Sequence, residues 1–284
     1  MYKLSIIGAG RLGKTLGRLA QLSGQCRIVD CVARSAASAE QAAGFIGAGR
    51  PLAGLRDLAA ADLYLLSVPD AAIAAAASEL AAQGLPKGAL VFHASGAGEL
   101  SLLLPLAEAG CRVGSLHPAF SFAEPTRAAQ NFAGTLCALE GDAAALRELE
   151  SFARLLGGRP FVLAAGGKAR YHAALSVASN YLVAINDMAL RLADSAGVPE
   201  ALAGDLVNAL MRQTLENAAA LGPAAALTGP IVRGDAETVA RHLAAMPDAE
   251  LAAAYRALGR QTLALAGGRP GLAAARLCAL LAED

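Results

Sequence analysis

Residues 3–13 decide the fold, and they read Lys-Leu-Ser-Ile-Ile-Gly-Ala-Gly-Arg-Leu-Gly. The β-branched beginning predicts a strand, and the residues from Arg11 to Leu22 repeat leucine on one side of a helix. In a strand–glycine loop–helix unit, Gly8 permits the tight turn, Gly10 lets a pyrophosphate approach the backbone, and Gly13 lets helix and strand pack closely. A glycine turn without a ligand is the alternative. The segment predicts a dinucleotide-binding loop whose candidate ligands are Gly8, Ala9, Gly10, Arg11, Leu12 and Gly13.

The chain on either side of this loop is predicted to contain two domains. Up to residue 165, β-rich runs alternate with alanine- and leucine-rich helical stretches, as expected for crossovers between parallel strands. Beyond residue 166 the strand signals vanish, and helical segments are separated by glycine and proline. The predicted fold class is therefore α/β, with a doubly wound, mostly parallel Rossmann sheet over residues 1–165. An all-α C-terminal domain over residues 166–284 follows it.

Composition narrows the classes of partner. With 55% hydrophobic residues among 284, the chain has ample material for a core, which excludes a disordered protein. The 24 basic and 24 acidic residues cancel, so there is no overall basic field for nucleic acid or an anionic membrane. We expect a small-molecule substrate, no nucleic acid and no membrane span, because polar residues interrupt the apolar runs. No signal sequence is recognised at the N-terminus, which predicts a cytoplasmic protein. The five cysteines are scattered and lack a Cys-x-x-Cys pair, so no metal site is expected.

The residues after the second predicted strand bear on the choice of cofactor. An NAD-binding chain carries an acidic residue about 20 positions past the glycine motif, where it binds the ribose 2′-hydroxyl. Arg34 and Ser35 stand there instead, and they suit a 2′-phosphate, which favours NADP. Asp30 is the competing NAD ligand, although its use would end the strand early. A merely solvated Arg34 is the other alternative.

Three further strand ends carry polar side chains. In open α/β sheets ligands bind beyond the carboxyl ends of the strands. Ser67, Val68 and Pro69 are predicted to line the nicotinamide side, although an ordinary strand–helix junction has the same pattern. The next two strand ends carry a histidine or serine that suits proton exchange with a substrate oxygen. These candidates, which also fit simple backbone hydrogen bonding, are His93, Ser95 and His117.

The predicted helical domain carries the remaining candidates. Lys168 and His172 lie four residues apart on one helix face, and Asn180 follows on roughly the same side within an apolar stretch. Asn180 needs a partner, either a substrate or a backbone carbonyl. Further along, Thr228 and Arg233 flank a compact turn in which Arg233 suits a carboxylate or phosphate, while capping of neighbouring helices is the alternative.

Together these segments resemble the NADP oxidoreductases that join a Rossmann-like domain to a helical domain of unknown function. The resemblance runs from end to end of the chain. It also extends to the superfamily of 6-phosphogluconate, β-hydroxyacid, ketopantoate, pyrroline-5-carboxylate and prephenate dehydrogenases or reductases. The matching segments are Gly8–Gly13, Leu66–Asp70, His93–Gly96, Leu116–Pro118, Lys168, Tyr171-His172, Ser179–Tyr181 and Ala226–Asp235. The resemblance implies a homodimer formed through the helical domain.

Two active sites of that superfamily offer different catalytic residues. The prephenate type uses a serine and a histidine followed by proline at successive strand ends, which match Ser95 and His117. The β-hydroxyacid type uses a lysine with an asparagine four residues later. Lys168 matches the lysine, but His172 occupies the asparagine position, so Asn180 would have to supply the amide. Both Lys168 and His117 therefore remain candidate proton donors.

Three functions are open at this point. The leading hypothesis is an NADP-dependent oxidoreductase that transfers a hydride between NADPH and the carbonyl carbon of a small acid. A ketopantoate-like 2-oxo acid is favoured by the resemblance alone, and Arg233 would hold its acid group. The second hypothesis is a cyclic imine reductase of the pyrroline-5-carboxylate type. The third is a non-catalytic NADP-binding sensor or scaffold.

Overall fold

A computed structural model of the chain describes residues 1–267 and 272–282. The chain divides into two compact units, Met1–Ser179 and Asn180–Asp284. This division falls 14 residues later than the boundary predicted after residue 165. The difference arises because the helix that starts at Lys168 packs against strands of the first unit through its own side chains.

The first unit is built on one eight-stranded sheet with the order β3-β2-β1-β4-β5-β6-β7-β8. Its strands are β1 (Tyr2–Ile7), β2 (Cys26–Val32), β3 (Arg50–Leu52), β4 (Leu63–Leu66), β5 (Leu90–His93), β6 (Arg112–Pro118), β7 (Leu136–Gly141) and β8 (Arg159–Val162). All neighbours are parallel except β6 and β7. The predicted mostly parallel Rossmann sheet is confirmed. The short edge strand β3 was not predicted, since only three residues with a central proline form it.

Helices cover both faces of this sheet. They are α1 (Arg11–Leu22), α2 (Ala36–Ile46), α3 (Ile73–Ala82), α4 (Leu104–Glu108), α5 (Pro125–Asn131), α6 (Ala143–Leu155) and α7 (Lys168–Ser176). The four residues of β4 are all fully buried, with Leu63 and Leu65 in one core and Tyr64 and Leu66 in another. A strand buried on both faces is typical of a parallel sheet covered by helices.

The second unit is helical. Its helices are α8 (Leu182–Ser195), α9 (Glu200–Leu221), α10 (Pro223–Ala226), α11 (Pro230–Arg233), α12 (Ala236–Ala244), α13 (Ala249–Leu265) and α14 (Leu272–Leu281). A π-helical turn over Val177–Tyr181 joins α7 to α8 without a break in the helix. A small core of Ala236, Val239, Leu277 and Leu281 lies where α12 and α14 pack together. The predicted all-α C-terminal region is confirmed.

One helix bears on the prediction that the chain has no membrane span. Among the described residues, the continuous helix Lys168–Ser195 is long and apolar enough by composition to cross a membrane. A single helix of this kind is weak evidence, because helices of soluble proteins meet the same criteria. The absence of a membrane partner therefore stays a prediction.

Candidate functional site

The glycine loop between β1 and α1 is held in place by the strand beside it. Gly8 has a φ of +94°, and a Cβ there would lie 2.6 Å from the backbone of both Ser67 and Val68. A Cβ at Gly13 would collide with the carbonyl oxygen of Gly8 and with the Ser67 hydroxyl. Ser67 Oγ in turn donates to the Gly8 carbonyl at 2.5 Å. The chain itself therefore requires glycine at positions 8 and 13, and Ser67 is used to fix the loop.

Gly10 has a different reason to be glycine. Among the residues that the structure describes, no atom outside the immediate neighbours of Gly10 lies within 4 Å of the position that its Cβ would take. Gly10 is also the N-cap of α1, and it makes no side-chain cap, so the first N–H groups of the helix are left open. Such groups bind anions, and a backbone without a side chain lets a phosphate come close. The loop fits a pyrophosphate at the point where the protein leaves space.

The other loop residues support this arrangement. The amide of Ala9 donates to the carbonyl of Val32 at 3.1 Å, which ties the loop to the end of β2. Leu12 packs against the main core, while the side chain of Arg11 is exposed beside the open helix end.

The two candidate ligands for the ribose of the cofactor, Asp30 and Arg34, lie near the end of β2. Asp30 is fully buried, and its carboxylate accepts from Arg50 Nε at 2.9 Å and from the amide of Ala59 at 2.7 Å. Because internal groups bind Asp30, its carboxylate is not free for a ribose hydroxyl. The strand continues to Val32, so Arg34 follows its end and is exposed.

Ser35 begins the next helix. It is the N-cap of α2, and its hydroxyl accepts from the amide of Ser38 at 3.3 Å. Val68 packs against the second core of the sheet, and Pro69 precedes the single helical turn Asp70–Ala72. Pro69 therefore lies at a strand–helix junction, and its role in lining the nicotinamide side stays a prediction.

Three aromatic side chains meet beyond β5 and β6. His117, in β6, has its Nδ1 atom 3.0 Å from the Tyr171 hydroxyl of α7. The rings of Tyr171 and His172 stand nearly perpendicular to that of His117, with centroids 5.6 and 6.1 Å away. The loop residue Gly96 lies against both imidazoles, because a Cβ there would be 2.8 Å from His117 Nε2 and would collide with His172. Residue 96 must therefore be glycine for the two histidines to converge.

Lys168 anchors the start of α7 in the sheet. Its side chain is only 1% exposed, and its Nζ atom lies 2.7 Å from Glu140 Oε2 and donates to the Ser115 hydroxyl. Ser115 and Glu140 face each other across the antiparallel pair of β6 and β7. The ammonium is thus enclosed by the chain, and the ion pair fixes the helix that carries Tyr171.

His93 and Ser95 lie behind this cluster. His93 is fully buried, and its Nδ1 atom accepts from the Ser95 amide at 3.2 Å. Ser95 Oγ accepts from the amides of Ala97 and Gly98 at 3.2 and 2.7 Å. Because the His93 ring is fully buried, its role in binding a substrate stays a prediction. Ser95 shapes the loop that presents Gly96.

Burial and the nearby charge of Lys168 keep His93 and His117 neutral at neutral pH. Burial lowers the pKa of His93 to about 3, with a further contribution from the charge of Lys168. Burial, followed by His172 and Lys168, lowers the pKa of His117 to about 4. Burial raises the pKa of Tyr171 to about 12, so its phenol keeps its proton at neutral pH. Burial also lowers the pKa of Lys168, and the bound carboxylate of Glu140 opposes that shift.

Three predicted residues belong to the second unit. Asn180 lies within the π-helical turn and is exposed. Thr228 is exposed just before α11, and Arg233 is exposed at the end of that helix. Asp235 accepts from the Thr238 amide at 3.0 Å, so capping does account for this aspartate. The first unit gathers Ser95, His117, Lys168 and His172 without these three.

Three polar residues of this region, Ser115, Glu140 and Tyr171, were not among the predicted site residues. Glu140 ends an apolar strand, and a charged residue in that position was the available signal. Tyr171 stands between two predicted site residues, Lys168 and His172, but its partner is 54 positions away in the sequence. A contact over that separation cannot be derived from local spacing.

Comparison with known proteins divides the chain into two sequence families. Residues 1–118 match the Rossmann-like domain, and residues 135–262 match DUF2520, a domain of unknown function. The two matched segments follow one another along the chain. Ser115 and His117 come from the first segment, while Glu140, Lys168 and Tyr171 come from the second. No curated protein matches the sequence.

Several solved structures are similar over nearly the whole chain. A Bacteroides fragilis protein named as a putative NADP oxidoreductase is 22% identical, with a TM-score of 0.78, over 93% of this chain and 98% of that one. A reductive aminase from Aspergillus terreus, in complex with NADPH and ethyl-5-oxohexanoate, is 19% identical, with a TM-score of 0.66, over 97% and 98%. A pyrroline-5-carboxylate reductase from Coxiella burnetii is 16% identical, with a TM-score of 0.58, over 98% of both chains. These likenesses confirm the fold of both segments.

Proposed function

We propose that this chain is an NADP-dependent oxidoreductase that reduces the carbonyl group of a small acid. The observation that carries the proposal is Gly10, the glycine of the loop that has no protein neighbour at its Cβ position and stands at an open helix end. Two of the similar structures bear names that point the same way, an NADP oxidoreductase and a reductive aminase complexed with NADPH. Bound NADPH would supply the hydride.

Arg34 is the residue that would select NADPH over NADH. It follows the end of β2 and is exposed, and the competing Asp30 is bound by Arg50 and Ala59. A guanidinium offers paired donors to a phosphate, and Ser35 adds a hydroxyl at the start of α2. The glycine loop would hold the pyrophosphate, and Ser67 keeps that loop in shape.

The class of substrate is inferred from the side chains that lie beyond the ends of β5 and β6. The cluster of His117, Tyr171 and His172 contains groups that donate or accept a proton at a substrate oxygen, which carbonyl reduction requires. A ketopantoate-like 2-oxo acid is the proposed substrate, and Arg233 is the proposed ligand of its acid group. Of the two candidate proton donors, Lys168 is buried in its ion pair, so the arrangement favours the His117 side of the cluster.

Imine reduction is the second candidate. The named activities of the reductive aminase and of the pyrroline-5-carboxylate reductase support it, since both structures cover nearly the whole chain. Reduction of a protonated imine needs no proton donor at the reacting carbon or nitrogen. Loss of the phenol or imidazole would therefore slow carbonyl reduction far more than imine reduction.

We also propose that the chain forms a homodimer through its helical unit. Leu202, Leu206 and Leu210 follow one another at four-residue spacing on α9, and each is more than half exposed. A stripe of this kind is costly to leave in water, and a second copy would cover it. Light scattering of the wild type and of Leu206→Glu tests the proposal, which a monomeric wild type would contradict.

The cofactor and the reaction are tested together. Fluorescence titration should show at least about tenfold tighter binding of NADPH than of NADH, the difference that one charged hydrogen-bonding group supplies. Arg34→Gln should remove most of that preference. Arg27→Gln, at an exposed arginine near the opposite end of β2, is the matched control and should leave it unchanged.

Turnover is then measured with NADPH against a panel of 2-oxo acids and a panel of cyclic imines. The proposal expects oxidation of NADPH with at least one oxo acid. Turnover with imines alone would select the second candidate. Tight NADPH binding without turnover on either panel would indicate a non-catalytic sensor, and tighter binding of NADH would refute the role of Arg34.

A further inference from the structure

We propose that Tyr171 donates the proton in this reaction and that His117 holds the phenol in position. The inference rests on the proposed reductase function and adds to it a residue that no sequence motif assigns. It starts from the proton balance of the reaction. When a hydride forms the new C–H bond, the electron pair of the C=O bond moves to oxygen, and that oxygen must gain one proton.

Lys168 is poorly placed to supply this proton. Its ammonium is enclosed by Glu140 and Ser115, and the side chain is 1% exposed. A proton that left it would leave the Glu140 carboxylate buried without its counter-charge, which is costly. Lys168 is better described as a positioning residue, because its ion pair fixes the start of the helix that carries Tyr171.

His117 is also largely committed within the chain. Its Nδ1 atom is 3.0 Å from the Tyr171 hydroxyl, and its Nε2 side lies against Gly96. The phenol of Tyr171 has only one such contact in the cluster, and the residue is partly exposed. When Nδ1–H of His117 donates to the phenol oxygen, the O–H proton of Tyr171 is free to point outward.

The transfer balances without any additional reactant. The Tyr171 O–H bond breaks as the new O–H bond forms on the product. The phenolate that remains accepts the hydrogen bond from His117 Nδ1–H, and it regains its proton from water. The imidazole of His117 stays neutral throughout the transfer, which agrees with the burial of the ring and the nearby charge of Lys168.

Those surroundings set the pH dependence. His117 faces His172 and Lys168 of α7, buried His93 of β5 and Asp70 after β4. Burial, followed by His172 and Lys168, outweighs Asp70 and brings the pKa of His117 to about 4. With the pKa of Tyr171 raised to about 12 by burial, the pair holds its donor proton across the neutral range. The turnover number should therefore be flat from about pH 6 to 9, whereas an imidazolium donor would lose about tenfold per pH unit above its pKa.

The test compares Tyr171→Phe with Tyr255→Phe. Tyr255 hydrogen-bonds His242 Nδ1 at 2.8 Å in the second unit, so its variant loses a phenol from the same kind of pair. Tyr171→Phe should lower kcat by about 100-fold or more, the usual contribution of a general acid, with an unchanged Kd for NADPH. Tyr255→Phe should keep wild-type kcat. His117→Asn, whose amide can replace the Nδ1 contact, should retain more activity than His117→Ala.

Two readouts separate a chemical role from a structural one. Nitrogen NMR of labelled histidine should show the His117 Nδ1 resonance shifting in Tyr171→Phe, without cofactor and without turnover. Replacement of Tyr171 by a fluorotyrosine of lower pKa should move the alkaline fall of kcat to lower pH and leave the fold intact.

The outcomes are distinct. Wild-type turnover together with kcat of Tyr171→Phe within about threefold of wild type would overturn the inference and leave the reductase function standing. A kcat that falls tenfold per pH unit through the neutral range would also overturn it. A wild-type chain with no turnover on any oxo acid or imine would overturn the function and the inference together.

Discussion

The molecule contains two histidine–tyrosine pairs with almost the same local geometry. His117 and Tyr171 are joined by a 3.0 Å contact, with ring centroids 5.6 Å apart and planes at 87°. His242 and Tyr255 are joined at 2.8 Å, with centroids 5.9 Å apart and planes at 89°. Their surroundings differ. The first pair joins a strand end to a helix, and the second joins the surface helices α12 and α13 with His242 exposed.

The charged residues at the start of the helices that carry the two tyrosines also differ in burial. Buried Lys168 begins the helix that carries Tyr171, and partly exposed Asp248 caps the helix that carries Tyr255. Lys168 is paired with Glu140, and Asp248 is paired with Arg191, whose side chain is 48% exposed. The contact between a phenol and an imidazole is thus common to both pairs. The buried charge, the third ring and the glycine loop occur at the first.

The largest effect is expected from breaking the buried ion pair. Lys168→Met leaves the Glu140 carboxylate, which is 11% exposed, without its counter-charge, and should lower the free energy of unfolding by about 3 kcal/mol. Arg191→Met removes the exposed counterpart and should cost about 1 kcal/mol or less. Urea denaturation measures both.

A double variant distinguishes the loss of the ion pair from a general disturbance of the packing around Lys168. Lys168→Met combined with Glu140→Leu replaces both charges by apolar groups and should recover most of the lost stability. Equal losses for Lys168→Met and Arg191→Met would show that burial does not distinguish the two regions.

A smaller effect is expected from a methyl group added between the histidines. The new Cβ in Gly96→Ala would collide with His172 and approach His117 Nε2 to 2.8 Å, so the first pair must shift. We expect a loss of about 1–3 kcal/mol in stability and about 100-fold or more in kcat. Thermal unfolding and steady-state kinetics measure these changes.

Gly204 in α9 provides the matched control. Nothing lies within 4 Å of its Cβ position, so Gly204→Ala should leave kcat unchanged and raise stability by about 0.5–1 kcal/mol. Wild-type kcat in Gly96→Ala would mean that the position of the His117 ring does not matter for the reaction.

The third effect is confined to acid pH, where the free energy of unfolding should depend on His117. The folded pKa of His117, about 4, lies below its ordinary value of 6.5, so the unfolded chain binds this proton first. Stability attributable to His117 is therefore complete above about pH 6.5 and is lost as the pH falls towards 4. His117→Asn should make the loss shallower by up to about 1.4 kcal/mol per pH unit over that window.

The corresponding variant of the second pair completes the comparison. His242 is exposed, and His242→Asn should leave the pH dependence of unfolding close to that of the wild type. Denaturation at a series of pH values measures this. A slope that changes as much in His242→Asn as in His117→Asn would show that burial is not the cause.

The parts of the molecule that the sequence predicted correctly depend on local patterns. The strand, the three glycines and the helix that follows them lie within 20 residues of one another, and Gly8 and Gly13 each have a steric reason of their own. The Rossmann sheet and the helical second half followed from hydrophobic periodicity. The boundary between the compact units was less accessible, because it depends on which side chains of α7 reach the sheet.

The candidate site could be predicted only in part. Individual strand-end residues such as His117 were found because parallel strands bring their ends to one edge. The pairing of His117 with Tyr171, and of Lys168 with Glu140, needs the register of the antiparallel strand β7 and the docking of α7. Neither leaves a local pattern, and the ion pair of Lys168 with Glu140 could not be derived from sequence spacing.

β6 belongs to the segment that matches the Rossmann-like domain, and β7 belongs to the segment that matches DUF2520. The two strands pair within one compact unit. Ending the chain at residue 118 would strip β6 of its outer neighbour, leaving a row of unpaired backbone groups open to aggregation. The same cut would take from Ser115 and His117 every side-chain partner supplied by α7. The segment that matches the Rossmann-like domain is therefore unsuited to fold as a separate nucleotide-binding domain. A chimera that combines segments of two relatives must keep the residues of both β6 and β7 that form this strand pair.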